Sequence, residues 1–472
     1  MSFITVSSRS ATPLRRQIYD ECRHGILAGR FRPAERVPST RDLAVTLSVA
    51  RTTVAEAYDQ LIAEGYLEAV RGSGTFVCSQ LPQAIPPAPP QLAKHPLIRL
   101  SRYGAGLTQD VLRPSPPPGV IHFTTGTPDL REFPFSLWRQ LLTRHLRTAK
   151  TATFDYAADP AGDPALRAQV ASYAARIRGV SCSPEQVVIV NGSQQALDLS
   201  VRVLLERGDS VAFENPGYYA AHRIFRAHGA RLQPLPVDAE GVVLRRLAAD
   251  TRMIYVTPSH QFPTGVAMSV ARRLELIRMA RERGTVILED DYSSEFRYSG
   301  APLPSLQGLS NDAAVIYMGT FSKVMFPALR IGYVIVPPQL IETFRCAKWL
   351  ADRHAPGLEQ AALAEFMREG HLDRHIRRMR RLYGQRRSAL LEALEKNFGA
   401  RATVLGDAAG MHVMVRFEDP AIARRAARNR VWLPSADQNY LTNPPGNEFI
   451  FGFAALTERS IREGIRRIAG SG

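Results

Sequence analysis

The stretch VIYMGTFSKVMFPALRIGYVIV, Val315 to Val336, sets two β-branched runs around a loop carrying two hydroxyls, a lysine and an arginine. The runs 315–319 and 331–336 are short, continuous and β-branched, which reads as two buried strands rather than helices. Between them Thr320, Phe321, Ser322 and Lys323 read as a strand-to-helix loop, and Arg330 leads into the second strand. Lys323 stands out because the 472 residues contain just four other lysines, Lys94, Lys150, Lys348 and Lys396.

Similar runs recur upstream at 187–190, 210–214, 253–257 and 285–290, separated by amphipathic stretches such as 271–283. Apolar strands alternating with helices predict an α/β domain, a mainly parallel sheet covered on both faces. Ligands of such sheets bind beyond the carboxyl ends of the strands, so the residues that follow each run are the informative ones. After 187–190 comes Asn191-Gly192-Ser193-Gln194, a small-residue turn into a helix whose free N–H groups suit an anion. After 285–288 comes Glu289-Asp290-Asp291-Tyr292, acids that imply a cation, a metal or a protonated ring nitrogen. With a lysine able to form an imine, this set fits pyridoxal phosphate better than a metal or a dinucleotide, and no metal is expected.

The N-terminal part reads differently. Pro-rich runs PQAIPPAPPQ and RPSPPPG cannot sustain a helix or central strand and predict a semi-rigid linker over 81–118, between domains at 1–80 and 119–472. In the first domain Leu14, Ile18, Cys22 and Ile26 recur at helical spacing. Ser39 with Asp42 forms a capping-box variant opening a short helix to Leu47, and Arg51-Thr52-Thr53-Val54 opens a longer one to Gly65. Strands at 66–70 and 75–77 flank Arg71-Gly72-Ser73-Gly74, completing a winged helix-turn-helix.

The stretch VPSTRDLAVTLSVARTTVAEAYDQLIAEGYLEAVRGSGTFV resembles the DNA-binding domain of GntR-type bacterial regulators. The resemblance implies a double-stranded DNA operator as partner, contacted by Ser39, Arg41, Arg51, Thr52, Thr53, Arg71 and Gly72. The segment from about Val120 onward resembles fold-type I aminotransferases, through YAADPAGDPALR, NGSQQAL, ENPGYY, TPSHQFPTG, LEDDYSSEFRY and GTFSKVMFPALRIGY. The fusion resembles the MocR/GabR class of regulators. It implies that Lys323 is the Schiff-base lysine, that Asp290 pairs with the pyridinium nitrogen, that Tyr292 bonds the ring hydroxyl and that Tyr218 stacks on the ring. Gly192, Ser193, Thr320, Ser322 and Arg330 match the phosphate cradle. Tyr156 matches a tyrosine that reaches the neighbouring subunit's phosphate, implying a homodimer with domain-swapped, head-to-tail subunits.

The sequence departs from transaminases where the substrate carboxylate would be held. Ile450 stands at the position of the carboxylate arginine, Ala220 where GABA-responsive relatives carry another, and Phe262 where N-P-T-G has its asparagine; Arg223, or another arginine from a loop or a partner subunit, is the alternative source of the carboxylate fork. Two readings follow: a transcriptional regulator without sustained turnover that senses pyridoxal phosphate or a small amine or amino acid, and a working transaminase with a DNA-binding head. In the second, Lys323 is the catalytic residue. The net charge of +16 suits a polyanionic partner, although residues 1–80 hold ten arginines against eight acids. The basic run at 374–381 reads as a solvated or paired helix face. Four scattered cysteines suggest neither disulfides nor zinc. With no secretory signal and no long apolar run, a cytoplasmic, bacterial protein is expected, without a membrane partner.

Overall fold

Leu14–Leu27 (α1), Thr40–Leu47 (α2) and Arg51–Ala63 (α3), followed by the hairpin Leu67–Val70 (β1) and Gly74–Val77 (β2), form the N-terminal unit. They belong to a computed structural model that describes residues 4–7, 10–82, 98–107, 116–149, 151–156, 159–300, 303–310, 314–406 and 408–470. The chain divides into two units, 1–99 and 100–472. Of the expected linker, 83–97 and 108–115 lie outside the described residues, as does Lys150.

The helical stripes close a small core of their own. Ile18, Cys22 and Ile26 of α1 pack with Val54, Tyr58 and Leu61 of α3. Ser39 caps α2, its Oγ accepting from the Asp42 N–H at 3.1 Å. Ser48 turns the chain toward α3 in the left-handed region, φ 53°. The wing pairs antiparallel from Leu67↔Val77 to Val70↔Gly74.

The second unit begins with a short helix, Arg102–Gly106 (α4), inside the stretch expected to be linker, and a strand Ile121–His122 (β3). Phe135–Thr148 (α5), Pro164–Arg178 (α6), Val187–Val190 (β4), Ser193–Leu204 (α7), Ser210–Asn215 (β5) and Tyr219–Ala227 (α8) follow. Then come Arg231–Asp238 (β6), Gly241–Val242 (β7), Thr251–Val256 (β8), Val270–Arg283 (α9), Val286–Asp291 (β9), Leu306–Leu309 (α10), Val315–Thr320 (β10) and Gly332–Ile335 (β11). The chain ends with Ile341–Asp352 (α11), Gly357–Arg368 (α12), His371–Phe398 (α13), Ala402–Leu405 (β12), His412–Phe417 (β13), Ile422–Arg428 (α14), Val431–Trp432 (β14), Glu448–Gly452 (β15) and Glu458–Ala469 (α15).

Eight strands form one sheet in the order β4-β11-β10-β9-β8-β5-β6-β7. The run from β10 through β9, β8 and β5 to β6 is parallel, whereas β11 is antiparallel to both β10 and β4. Lys323 therefore sits on a strand-to-strand loop, not the expected strand-to-helix loop. A parallel return needs a crossover of a dozen or more residues, and the connection from Thr320 to Gly332, with one 3-10 turn at Pro327–Leu329, is too short for one. The sheet is covered on both faces: Val187 and Ile189 of β4 join one core, Val188 and Val190 the opposite one. A separate three-stranded sheet, β12-β13-β15, stands in the C-terminal part. Among the described residues no helix is long and apolar enough to cross a membrane.

Candidate functional site

A cavity of about 120 Å³ opens where the carboxyl ends of β8, β9 and β10 meet the N-termini of α7 and α8 and the start of β13. Lys323 and Asp290 both line it. Lys323 Nζ donates to the Gly126 carbonyl at 2.8 Å. This approach requires glycine: Gly126 has φ +75°, and a Cβ there would lie 2.7 Å from Nζ.

Asp290 is buried, and its Oδ2 accepts from the Tyr255 hydroxyl at 2.7 Å. Its Oδ1 has no hydrogen-bond partner among the described residues. Burial pushes the carboxyl up to about 6; the neighbouring Asp291 adds to the rise, and Tyr255 and Lys323 oppose it. A buried acceptor left unpaired costs about 1–3 kcal/mol, so the site suits a donor that the described residues do not supply. A protonated ring nitrogen meets that need. The neighbouring acids are already engaged. Glu289 accepts from the N–H groups of Leu306 and Gln307 at 2.9 and 3.1 Å, and Asp291 pairs with Arg178 at 2.5 Å.

Tyr292 lies 2.8 Å, hydroxyl to Nδ1, from His260. Burial raises the phenol and holds His260 well below its usual value, so both are neutral at physiological pH. Tyr218 accepts from Gln194 Nε2 at 3.0 Å and meets Phe262 edge to face.

Strand register brings the residues expected to hold a phosphate near one another. Gly332 pairs with Thr320 on one side and Val190 on the other, so the β10 end lies beside the turn at Gly192. Gly192 has φ +83°, and a Cβ there would come within 3.0 Å of the Arg330 guanidinium, which donates to the Asn191 carbonyl. Ser193 begins α7, and Thr320 Oγ1 accepts from the Ser322 N–H at 3.2 Å. A helix N-terminus beside an arginine is suited to a phosphate. Ser193 lines the cavity itself; Gly192, Thr320, Ser322 and Arg330 are not among its lining residues. Tyr156 is not brought in: it is 76% exposed, with the Arg353 guanidinium 5.7 Å from its ring centre.

Sequence reasoning missed several of these partners. Tyr255 and Gly126 sit in no pattern that marks them, whereas His260 lay within TPSHQFPTG. It also missed a buried brace under the cradle. Lys348 of α11 is fully buried and donates to both Asp352 oxygens at 2.7 Å and to Gln195 Oε1 at 2.9 Å. Asn191 and Gln195 in turn donate to Asp352 at 2.5 and 2.8 Å. The available signal was a rare lysine four residues before an acid on a helix.

In the N-terminal unit the expected residues share the exposed turn and wing. Arg41, Arg51 and Thr52 are exposed at the starts of α2 and α3, Thr53 is half-buried, and Arg71 and Gly72 are exposed at the hairpin tip. Ser39, also exposed, has its hydroxyl tied to Asp42 at 2.7 Å.

Comparison with known proteins places both units. The family described as bacterial regulatory proteins, gntR family, matches residues 14–77, and aminotransferase class I and II matches 118–468. The probable rhizopine catabolism regulatory protein MocR of Rhizobium meliloti is 39% identical over 97% of this chain and 93% of its own. The pyridoxine biosynthesis transcriptional regulator PdxR of Corynebacterium glutamicum is 29% identical over 97% of this chain and 96% of its own. Among solved structures, the α-aminoadipate aminotransferase LysN of Thermus thermophilus, complexed with N-(5'-phosphopyridoxyl)-L-leucine, is 32% identical. It covers 75% of this chain and 92% of its own, with TM-score 0.68.

Proposed function

Because this chain belongs to the MocR type of GntR-family regulators, a winged-helix head fused to an aminotransferase class I and II domain, we propose that it is a DNA-binding transcriptional regulator whose second unit holds pyridoxal phosphate on Lys323 and reports its occupancy to the head. The observation that carries the sensor half is the orphaned Oδ1 of Asp290 in the cavity that Lys323 lines.

When bound, pyridoxal phosphate supplies an aldehyde that joins an amine and a ring that draws electrons from it. The chain's residues do the rest. Lys323 would hold the cofactor through its amine, and Asp290 Oδ1 would accept from a protonated ring nitrogen. Tyr292 would serve the ring hydroxyl, and Tyr218 would pack on the ring. Gly192, Ser193, Thr320, Ser322 and Arg330 would hold the phosphate. The exposed Tyr156 serves the cradle of a second copy, in a homodimer whose heads are exchanged head to tail. In the head, the α3 N-terminus presents Arg51, Thr52 and Thr53 to phosphates and base edges, with Ser39, Arg41, Arg71 and Gly72 alongside. A role on DNA supports a location in the bacterial cytoplasm.

The experiment is binding of the cofactor-stripped protein to DNA upstream of its own gene, with and without pyridoxal phosphate, beside Lys323→Ala. A cofactor-dependent change in affinity or footprint that Lys323→Ala abolishes supports the proposal. The same DNA binding in all four samples contradicts it, and sustained turnover of amino donors would favour the transaminase reading.

A further inference from the structure

The cavity's charge is one-sided. Lys323 is the one lysine or arginine among the described residues lining it, and it is already committed to the cofactor. Arg330 lies on the cradle side, bonded to the Asn191 carbonyl, and Arg178 is engaged with Asp291. The lining His412 is buried, and burial holds it down to about 4, so it offers no positive charge at neutral pH. Of the other ionisable groups nearby, Asp290 and Glu214 are buried acids, and His260, bonded to the lining Tyr292, is held neutral by burial.

The wall beyond the cofactor groups is apolar and aromatic. Phe262, 7% exposed, meets Tyr218, Tyr292 and His412 edge to face, with ring centres 5.6, 5.9 and 5.2 Å away. Met414, Ala436 and Ile450 back Phe262 and are all but fully buried. Met414 and Ile450 face each other on neighbouring strands, so the backing is set by sheet register. An ionised carboxylate brought against this wall loses its water and meets no arginine among the described residues that line it. A hydrocarbon or aromatic body gains from the same surface through burial and edge contacts.

We infer that the second ligand of this cavity is a primary amine with an apolar or aromatic body and no carboxylate next to the amine. The inference rests on the reading of Lys323 as the cofactor lysine. The amine nitrogen meets the cofactor, and the body lies against Phe262.

The test uses the full-length, cofactor-loaded protein and matched pairs differing in the carboxylate alone: phenethylamine with phenylalanine, and isoamylamine with leucine. Binding is read from the cofactor's visible absorption and then from operator affinity. The amine of each pair is expected to bind at least tenfold tighter, equivalent to about 1.4 kcal/mol. Phe262→Leu should weaken phenethylamine more than isoamylamine. Ile450→Arg should narrow the preference, and if that variant does not fold, the wild-type pairs and Phe262→Leu decide. Equal or tighter binding of the amino acids overturns the inference, as does a normal cofactor band that no amine perturbs. A wild type with no Lys323-dependent band overturns the underlying reading as well, so the two failures are distinguishable.

Discussion

Replacing Asp290 with Asn should change the stability of the cofactor-free protein in a way that depends on pH and reverses when cofactor is bound. Burial raises the carboxyl from its ordinary 3.8 to about 6, so between those values the folded protein binds a proton that the unfolded chain has released. Wild-type stability therefore falls as pH rises through that window and levels off above it. At 1.36 kcal/mol per pH unit, the ionised carboxylate costs the cofactor-free fold about 3 kcal/mol at pH 8. Asparagine keeps the shape and removes the charge. Asp290→Asn should be more stable than wild type by about 1 kcal/mol at pH 4.5 and by up to about 3 kcal/mol at pH 8. With pyridoxal phosphate the order should invert, because the variant offers the ring nitrogen no negative partner. Urea unfolding of stripped and loaded protein, each at pH 4.5, 6 and 8, reads all of this. A stability difference independent of pH, or a variant that keeps wild-type cofactor affinity, would refute the reasoning.

Three further outcomes are expected. Lys348→Met leaves Asp352 without its buried cation, a loss of about 3 kcal/mol; it should weaken pyridoxal phosphate at least tenfold while leaving phosphate-free pyridoxal unchanged, as measured by spectral titration. Gly126→Ala puts a methyl 2.7 Å from Lys323 Nζ at a φ of +75°, so Nζ must move, and cofactor loading should slow markedly in stopped-flow absorbance with little change in the head's DNA contacts. Ser39→Ala removes the cap of α2 and should lower head stability by about 1 kcal/mol, visible as faster amide exchange in α2.

The features legible in the sequence were those written in local periodicity and in strand-end chemistry. The stripes of α1 and α3 and the glycine turn of the wing follow from spacing alone. The cavity residues Asp290, Tyr292 and Lys323 stand out in the sequence because each ends a β-branched run or follows one within three residues. What escaped depends on distant parts of the chain. The Lys323 loop ends in an antiparallel strand because β11 inserts between β10 and β4, a choice made by the sheet and not by the loop. Tyr255 reaches Asp290 from 35 positions away, and Gly126 reaches Lys323 from 197. The Lys348 brace was hidden for the same reason: its i,i+4 acid reads as an ordinary surface pair until the fold seats the lysine on Gln195 and Asp352 on Asn191. Short α4 lay in Pro-flanked sequence, yet Tyr103 packs on His228 of the large unit, with ring centres 5.1 Å apart.

Lys323 and Asp290 forming one pyridoxal phosphate cavity is the claim on which the rest depends. The most direct measurement is borohydride reduction of the cofactor-loaded protein followed by peptide mapping. The mass of the reduced cofactor is expected on the peptide containing Lys323, and Lys323→Ala should carry none. Modification of Lys348, Lys150 or another lysine in its place, or no modification of the loaded wild type, would contradict the account.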